Sequence, residues 1–306
     1  MSSKFSFTQR LMGFLELLRP LEWSKTLMNL LFGSFLAVQA LPNVPLMILG
    51  FIAAGPLLWG GLYALNDVTD ASKDLLHPVK KFRPIPSGKV PKNFALLISI
   101  IFILAALVIG YFINIFFLAC LIVMILNQLL YTLKPFRLKE KPVLDIVSGS
   151  MINPLFRFFA GWTLFVQNFS APILFLVFIV GLQAGGYTLY RLSGKETEKK
   201  LGYKSSVTVF GEKTMKLVAY VLAGIGILAF VLITLSIFLQ SFFPTLISLG
   251  NLPFKFAALW ILSIFAIPLY AKAVLDPQKM DMKKVYRLIY IHNLLFLIGF
   301  IILWVV

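Results

Sequence analysis

Three carboxylates, Asp67, Asp70 and Asp74, recur at i, i+3 and i+7 where the chain leaves a long apolar stretch, in the run Asn66-Asp67-Val68-Thr69-Asp70-Ala71-Ser72-Lys73-Asp74. On a helix this spacing stacks all three on one face. Like charges so close repel unless a cation sits among them. Carboxylate oxygens suit Mg2+, which keeps few protein ligands and completes its shell with water and substrate phosphates. The pattern predicts a metal–diphosphate site on an acidic helical face at a membrane boundary. One Asp alone would read as a solvated helix start, since Asp favours first turns; the triplet argues for chemistry.

The elements that must position these groups are membrane spans. The chain has 306 residues, of which 59% are hydrophobic, and its mean hydropathy is +0.91. A span needs about 20 mostly apolar residues. Nine stretches qualify as candidates: 27–42, 45–65, 94–112, 115–132, 143–163, 172–192, 217–240, 256–275 and 288–306. The expected fold class is all-α, a polytopic membrane protein. No soluble domain is left over, so residues 1–306 form one integral-membrane domain with polar loops at 66–93 and 193–215. Phe5, Phe7, Leu11, Met12, Phe14, Leu15 and Leu18 make the N-terminal segment, 1–25, an amphipathic helix lying on the membrane surface. It does not resemble a cleaved signal peptide.

Charge predicts the orientation. Lys and Arg crowd the connections after the second, fourth, sixth and eighth stretches, and none lies in 42–45, 112–115, 164–171 or 240–254. Short basic loops stay cytoplasmic. The N-terminus, with Lys4, Arg10, Arg19 and Lys25, falls on the same side, and the C-terminus faces outward. The pattern fits a prokaryotic cytoplasmic membrane. The net charge of +16 follows from this topology and from anionic lipid. It needs no nucleic acid, and no obligate protein partner is expected. Cys120 stands alone, and His77 and His292 are too scattered for zinc.

Both signs of charge collect at one membrane face, in three polar segments. The first continues through Lys80-Lys81-Phe82-Arg83-Pro84-Ile85-Pro86-Ser87-Gly88. Lys80, Lys81 and Arg83 suit phosphate oxygens, Arg especially, and serve equally as positive-inside charges. The second segment runs from Tyr131 and Lys134 to Asp145, which opens an apolar span that also holds Asn153 and Arg157. Ionisable groups in spans face a bundle interior or a cavity; Arg157 could reach Asp145 only through an intermediary, or could bond helix carbonyls. The third segment, Tyr190 to Gly202, carries Glu196, Glu198, Lys199 and Lys200. Like the Asp segment, it follows a span with a glycine pair (Gly60-Gly61 and Gly185-Gly186), a hint of duplication.

Together, Asn-Asp-x-x-Asp-x-x-x-Asp at 66–74 and Arg83-Pro84-Ile85-Pro86-Ser87-Gly88 resemble the UbiA superfamily of intramembrane prenyltransferases, from about Arg19-Pro20 to Gly211. The resemblance implies nine helices around a central cavity, capped by cytoplasmic loops. It implies that Asn66, Asp67, Asp70 and Asp74 bind Mg2+ and a prenyl diphosphate, with Arg83 on phosphate. The family's second motif, Asp-x-x-x-Asp before Gly-x-(Lys/Arg)-(Ser/Thr)-(Ser/Thr), is eroded. Gly202-Tyr203-Lys204-Ser205-Ser206 matches its tail, but the aspartate positions fall on Gly194 and Glu198. Glu198 is the metal ligand that remains there, and Lys199, Lys200 and Lys204 are left to meet phosphate. Trp23-Ser24-Lys25, His77-Pro78-Val79-Lys80-Lys81, Leu144-Asp145 and Arg157-x-x-Ala160-Gly161 lean toward the polyprenyl-phosphate phosphoribosyltransferase branch.

The expected activity is Mg2+-dependent transfer of a prenyl group from an allylic polyprenyl diphosphate to a lipophilic acceptor in the bilayer. Metal and cations neutralise the leaving group. Tyr131, Tyr187 and Tyr190 are candidates to face the cationic allylic carbon, though aromatics near a membrane interface also serve as anchors. Two alternatives are phosphoribosyl transfer to a polyprenyl phosphate and a non-catalytic prenyl-lipid-binding descendant. A transporter is disfavoured, because its polar groups would lie near mid-membrane rather than at one face.

Overall fold

The structure, a computed structural model, describes residues 5–76, 79–200, 202–242, 258 and 282–305. The expected span at 256–275 and His77-Pro78 lie outside these. Every regular element among the described residues is helical, and none is a strand. Five helices are long and apolar enough to cross a membrane: Val44–Asp74, Lys92–Ile113, Ile115–Thr132, Ile173–Ser193 and Gly211–Leu239. The chain is thus an integral membrane protein. Of the other described stretches read as spans, Trp23–Val38 has 16 residues, residues 144–162 form one helix only in three pieces, and the last lies in the helix Met282–Val305.

The order begins with α1, Phe7–Leu18. Ser6 caps it with a reciprocal Gln9 contact, which satisfies otherwise orphaned amides. Arg19 stops it in a left-handed conformation, φ 53°, before Pro20. The face of Phe7, Leu11, Met12 and Leu15 is exposed, while Leu17 and Leu18 are buried. Phe14 meets Phe94 and Phe102 at 6.2 and 6.5 Å between ring centroids.

After α2 (Trp23–Val38) comes α3 (Val44–Asp74). Asn43 caps α3 by accepting from the Leu46 amide at 3.0 Å. Pro56 lies inside it, and the turns at Ala53–Trp59 widen to π geometry. Proline lacks an amide hydrogen and crowds the preceding turn, and a π-bulge absorbs that. The helix then resumes as Gly60–Asp74. The expected span ended at 65; in the structure the same helix carries the acidic run. Helices α4 (Lys92–Ile113) and α5 (Ile115–Thr132) form a hairpin. At its turn, the Asn114 side chain accepts from the Phe117 amide at 2.8 Å and donates to the Thr163 carbonyl at 2.7 Å. Helix α6 comprises Leu144–Ile146, π turns at Val147–Ile152 and Asn153–Trp162. Two longer helices, α7 (Ile173–Ser193) and α8 (Gly211–Phe242), and the terminal α9 (Met282–Val305) follow.

Small residues bring the helices together, as bilayer interfaces require. A Cβ on Gly161 would lie 1.8 Å from the Leu30 carbonyl oxygen, and one on Gly33 would lie 2.2 Å from that of Phe158. Ser34 adds a hydrogen bond to the Gly161 carbonyl. Gly181 and Gly185 of α7 meet Gly226, Ala219 and Ala223 of α8 in the same way. Phenylalanines fill the core between them, with Phe32 set edge-on to Phe158 and Phe175 and tilted against Phe300.

Candidate active site

The last turns of α3 place Asp67, Asp70 and Asp74 on one inward face, as the spacing predicts. They are only 2%, 5% and 3% exposed. Buried carboxylates need compensation, and the protein supplies four cations. Arg19 Nη2 lies 2.5 Å from Asp67 Oδ1. Arg83 Nη1 spans Asp67 Oδ1 at 3.1 Å and Asp74 Oδ2 at 2.8 Å. Arg137 Nη2 donates to Asp70 Oδ1 at 2.8 Å, and Lys139 Nζ to Asp70 Oδ2 at 2.5 Å. Asp70 is thus met on both oxygens, whereas Asp67 Oδ2 and Asp74 Oδ1 accept no hydrogen bond among the described residues. Asn66 Oδ1 joins the group, accepting from Thr132 Oγ1 and Lys139 Nζ at 3.1 and 3.2 Å.

The segment after α5 acts as a strap. Arg137 has φ 41° and so, like Arg19, reaches its aspartate from the left-handed region. That conformation costs an L-residue roughly 1–2 kcal/mol, and such strain clusters at functional sites. Arg137 also holds Glu140 at 2.5 Å, and Glu140 takes Lys73 at 2.8 Å. These bonds outweigh burial and keep Glu140 below the usual carboxylate range. Burial, with Arg137 and Lys80 adding repulsion against the pull of Asp70, brings the Lys139 ammonium down to about 8. Burial and Arg83 also lower Lys80, which feels Asp74, Asp70 and Glu198 together.

The second region is built on Arg191 of α7. Its Nη2 lies 3.2 Å from Asp145 Oδ2 and 2.9 Å from Glu198 Oε2. It also donates to the Lys139 carbonyl at 3.3 Å. Lys139 thus touches Asp70 through its side chain and Arg191 through its backbone. Asp145 is fully buried. It accepts from the Ser206 amide at 3.1 Å and from the Ser206 hydroxyl. Ser205 donates to Glu198 Oε2 at 2.5 Å. Burial pushes the Glu198 carboxyl up, against Arg191 and Ser205.

Other expected residues have separate places. Arg157 does not meet Asp145: its guanidinium carbon sits 3.9 Å from the Trp59 ring centroid. Lys25 pairs with Glu22 at 2.7 Å. Tyr131 shares a 2.8 Å hydroxyl contact with Tyr187. Tyr190 is exposed, within electrostatic reach of Glu22, Arg19 and Arg83. Lys81 is exposed over Phe82. Lys134, Lys199, Lys200 and Lys204 are exposed and form no ion pair among the described residues. Arg19, Arg137, Lys139 and Arg191, which do the binding here, were not among the candidates; the Arg19-Pro20 pair and the basic run 134–141 were the signals available.

Among the described residues, no three acidic or His/Cys side chains converge closely enough to hold a metal by themselves. The hard oxygens Asp67 Oδ2 and Asp74 Oδ1, beside a partly exposed Arg83, nonetheless fit a divalent cation that arrives with phosphate oxygens. Asp145 and Glu198 fit one less well, because the Arg191 between them is buried and Ser205 and Ser206 also bond them.

Residues 26–272 match the UbiA prenyltransferase family. The chain belongs to the UbiA prenyltransferase family. It is a UbiA-type prenyltransferase. It is 28% identical to the bacteriochlorophyll synthase 33 kDa chain of Cereibacter sphaeroides over 228 residues, 72% of this chain and 74% of that one. It is 29% identical to decaprenyl-phosphate phosphoribosyltransferase of Mycolicibacterium smegmatis over 218 residues, 65% and 64% of the two chains. A solved UbiA homologue from Archaeoglobus fulgidus, bound to GPP and Mg2+, superposes with a TM-score of 0.72 at 20% identity, covering 96% of this chain and 100% of that one. That likeness gives the fold of this UbiA member.

Proposed function

We propose that this protein moves a prenyl group from an allylic polyprenyl diphosphate to a lipophilic acceptor, with the donor's diphosphate seated at the Asp67–Asp70–Asp74 face. The observation that carries this is the buried aspartate face meshed with Arg19, Arg83, Arg137 and Lys139, all side-chain cations that phosphate oxygens can recruit. Residues 1–306 would act as one membrane unit with 66–93 and 193–215 over the site, on the cytoplasmic side that the basic loops favour.

Asp67 and Asp74 are the residues that would hold Mg2+, with Asp70 completing the face. When bound, Mg2+ neutralises charge developing on the departing diphosphate. Arg83 and Arg19 turn from carboxylate to phosphate oxygens, and bidentate guanidinium contacts orient the donor. Lys139 and Lys80 add charge where the leaving oxygen becomes anionic. As the allylic carbon–oxygen bond breaks, the carbon gains cationic character, and Tyr190 and the Tyr131–Tyr187 pair offer ring faces to it. The apolar helices exclude water that would intercept it. The acceptor then forms the new bond to that carbon and gives up its proton to the departed diphosphate.

A second reading, phosphoribosyl transfer to a polyprenyl phosphate, draws on the Mycolicibacterium relative's name and on the cation excess, which suits two phosphorylated substrates. Diphosphate release by purified protein, with and without Mg2+, separates the two. One arm supplies a long allylic diphosphate with extracted lipids, the other phosphoribosyl diphosphate with a polyprenyl phosphate. Release only in the first arm supports the proposal; release only in the second replaces it. Binding without release in either arm identifies a lipid-binding homologue.

A further inference from the structure

The second acidic region has a cation built in. Arg191 Nη2 bridges Asp145 and Glu198 at 3.2 and 2.9 Å, the place between two carboxylates where a divalent ion would sit. The guanidinium is itself buried, its side chain 9% exposed, and Arg191 Nε is buried with no hydrogen-bond partner among the described residues. Both Asp145 oxygens are engaged as well, by the Ser206 amide and hydroxyl, and the Glu198 Oε2 that meets Arg191 also accepts from Ser205. A metal entering here must first expel a buried, paired Arg191, and breaking such a pair is strongly unfavourable.

One helical turn further on, Gly194 stands where a second carboxylate would complete a metal cage. The backbone does not demand glycine: φ is −93°, and a Cβ would lie 3.5 Å from the Arg191 carbonyl, an ordinary contact. What the position lacks is a negative charge. With Asp145 and Glu198 as the two acids, the Arg191 guanidinium already supplies a positive charge between them without a divalent ion. Arg191 is also tied to the first site through the Lys139 carbonyl at 3.3 Å, so its charge is held at a set place relative to Asp70.

We infer that the Arg191 guanidinium permanently occupies the position of a second metal, so that this enzyme binds a single divalent cation with diphosphate, at the Asp67–Asp74 end. This rests on the reading of the aspartate face as a diphosphate seat. Arg191 is a positioning cation for the second half of the site rather than an exchangeable ligand partner.

The test is a count of Mn2+ bound per chain, from the electron paramagnetic resonance of free Mn2+ titrated with purified protein in lipid nanodiscs and saturating inorganic diphosphate. One Mn2+ per chain is expected. Asp67→Asn/Asp74→Asn is expected to weaken it at least tenfold, while Glu198→Gln leaves the count at one. Two tight Mn2+ per chain, none, or one that is lost in Glu198→Gln and kept in Asp67→Asn/Asp74→Asn, overturns the inference. Because inorganic diphosphate is the probe, the count decides this point even if no allylic donor is turned over, in which case the proposed transfer alone fails.

Discussion

Asp67, Asp70 and Asp74 of the first acidic region and Asp145 of the second are all buried, yet they are held in different ways. The first three are met by long cationic side chains from three segments distant in sequence. Asp145 is met by a backbone amide and a serine hydroxyl, with one guanidinium added. Flexible cations can leave a carboxylate for a phosphate; a helix amide cannot. The comparison separates a face built for exchange from a cluster built to stay put, within one polar layer and joined through Lys139.

The largest effect that would sharpen this contrast is Asp67→Asn/Asp70→Asn. Diphosphate release is expected to fall by ~10³-fold or more, since several charge contacts act together, while the protein stays folded in lipid with a lowered melting midpoint, because buried cations lose their partners. Retained Mg2+-dependent turnover would remove the aspartate face from the chemistry. Asp145→Asn should do the reverse. Arg191 is left facing a neutral amide, and stability is expected to drop by about 3 kcal/mol, seen as a lower melting midpoint, with turnover largely kept well below it. A variant that melts normally but is inactive would erase the distinction between the two regions.

Smaller changes refine it. Arg83→Lys keeps the charge but loses the planar guanidinium that a phosphate can meet with two nitrogens; kcat/KM for the donor is expected to fall by roughly 10–100-fold. The loss should fall mainly on donor KM if Arg83 binds and mainly on kcat if it acts on the leaving group. Tyr131→Phe removes the 2.8 Å hydroxyl contact with Tyr187 and keeps the ring. A stability change of about 1 kcal/mol or less is expected, with turnover near that of the parent. A large loss of activity would assign the hydroxyl, not the ring face, to catalysis.

The acidic half of this layer could be read from spacing, because a helical period makes the register of Asp67, Asp70 and Asp74 unambiguous. The basic half could not. Lys134 and Lys139 share one short basic run, yet Lys134 is exposed and Lys139 is buried on Asp70. Positive-inside charge masks which lysines turn inward. Arg19 and Arg137 reach their aspartates only because both adopt left-handed backbone, which nothing in their residue type announces. The erosion at Gly194 and Glu198 was visible, but its compensation by Arg191 depends on α7 and the 138–140 turn meeting in space. The spans were legible by hydropathy where they are straight and blurred where π turns interrupt them, at Ala53–Trp59 and Val147–Ile152.

The length of α3 has a consequence for where a substrate can be handled. From Val44 to Asp67 the helix climbs about 35 Å at 1.5 Å per residue, slightly more than the ~30 Å hydrocarbon thickness of a bilayer. It works as a mast of fixed height. With its foot at one surface, a helix of this length carries its acidic top just past the oily interior at the other. A molecule with a charged head and a greasy tail can therefore dock its head at headgroup depth without the head ever entering hydrocarbon, while its tail stays dissolved among the helices. Shortening the mast by one turn would lower the carboxylates by about 5 Å, into a layer where neither phosphate nor its counter-ions are soluble.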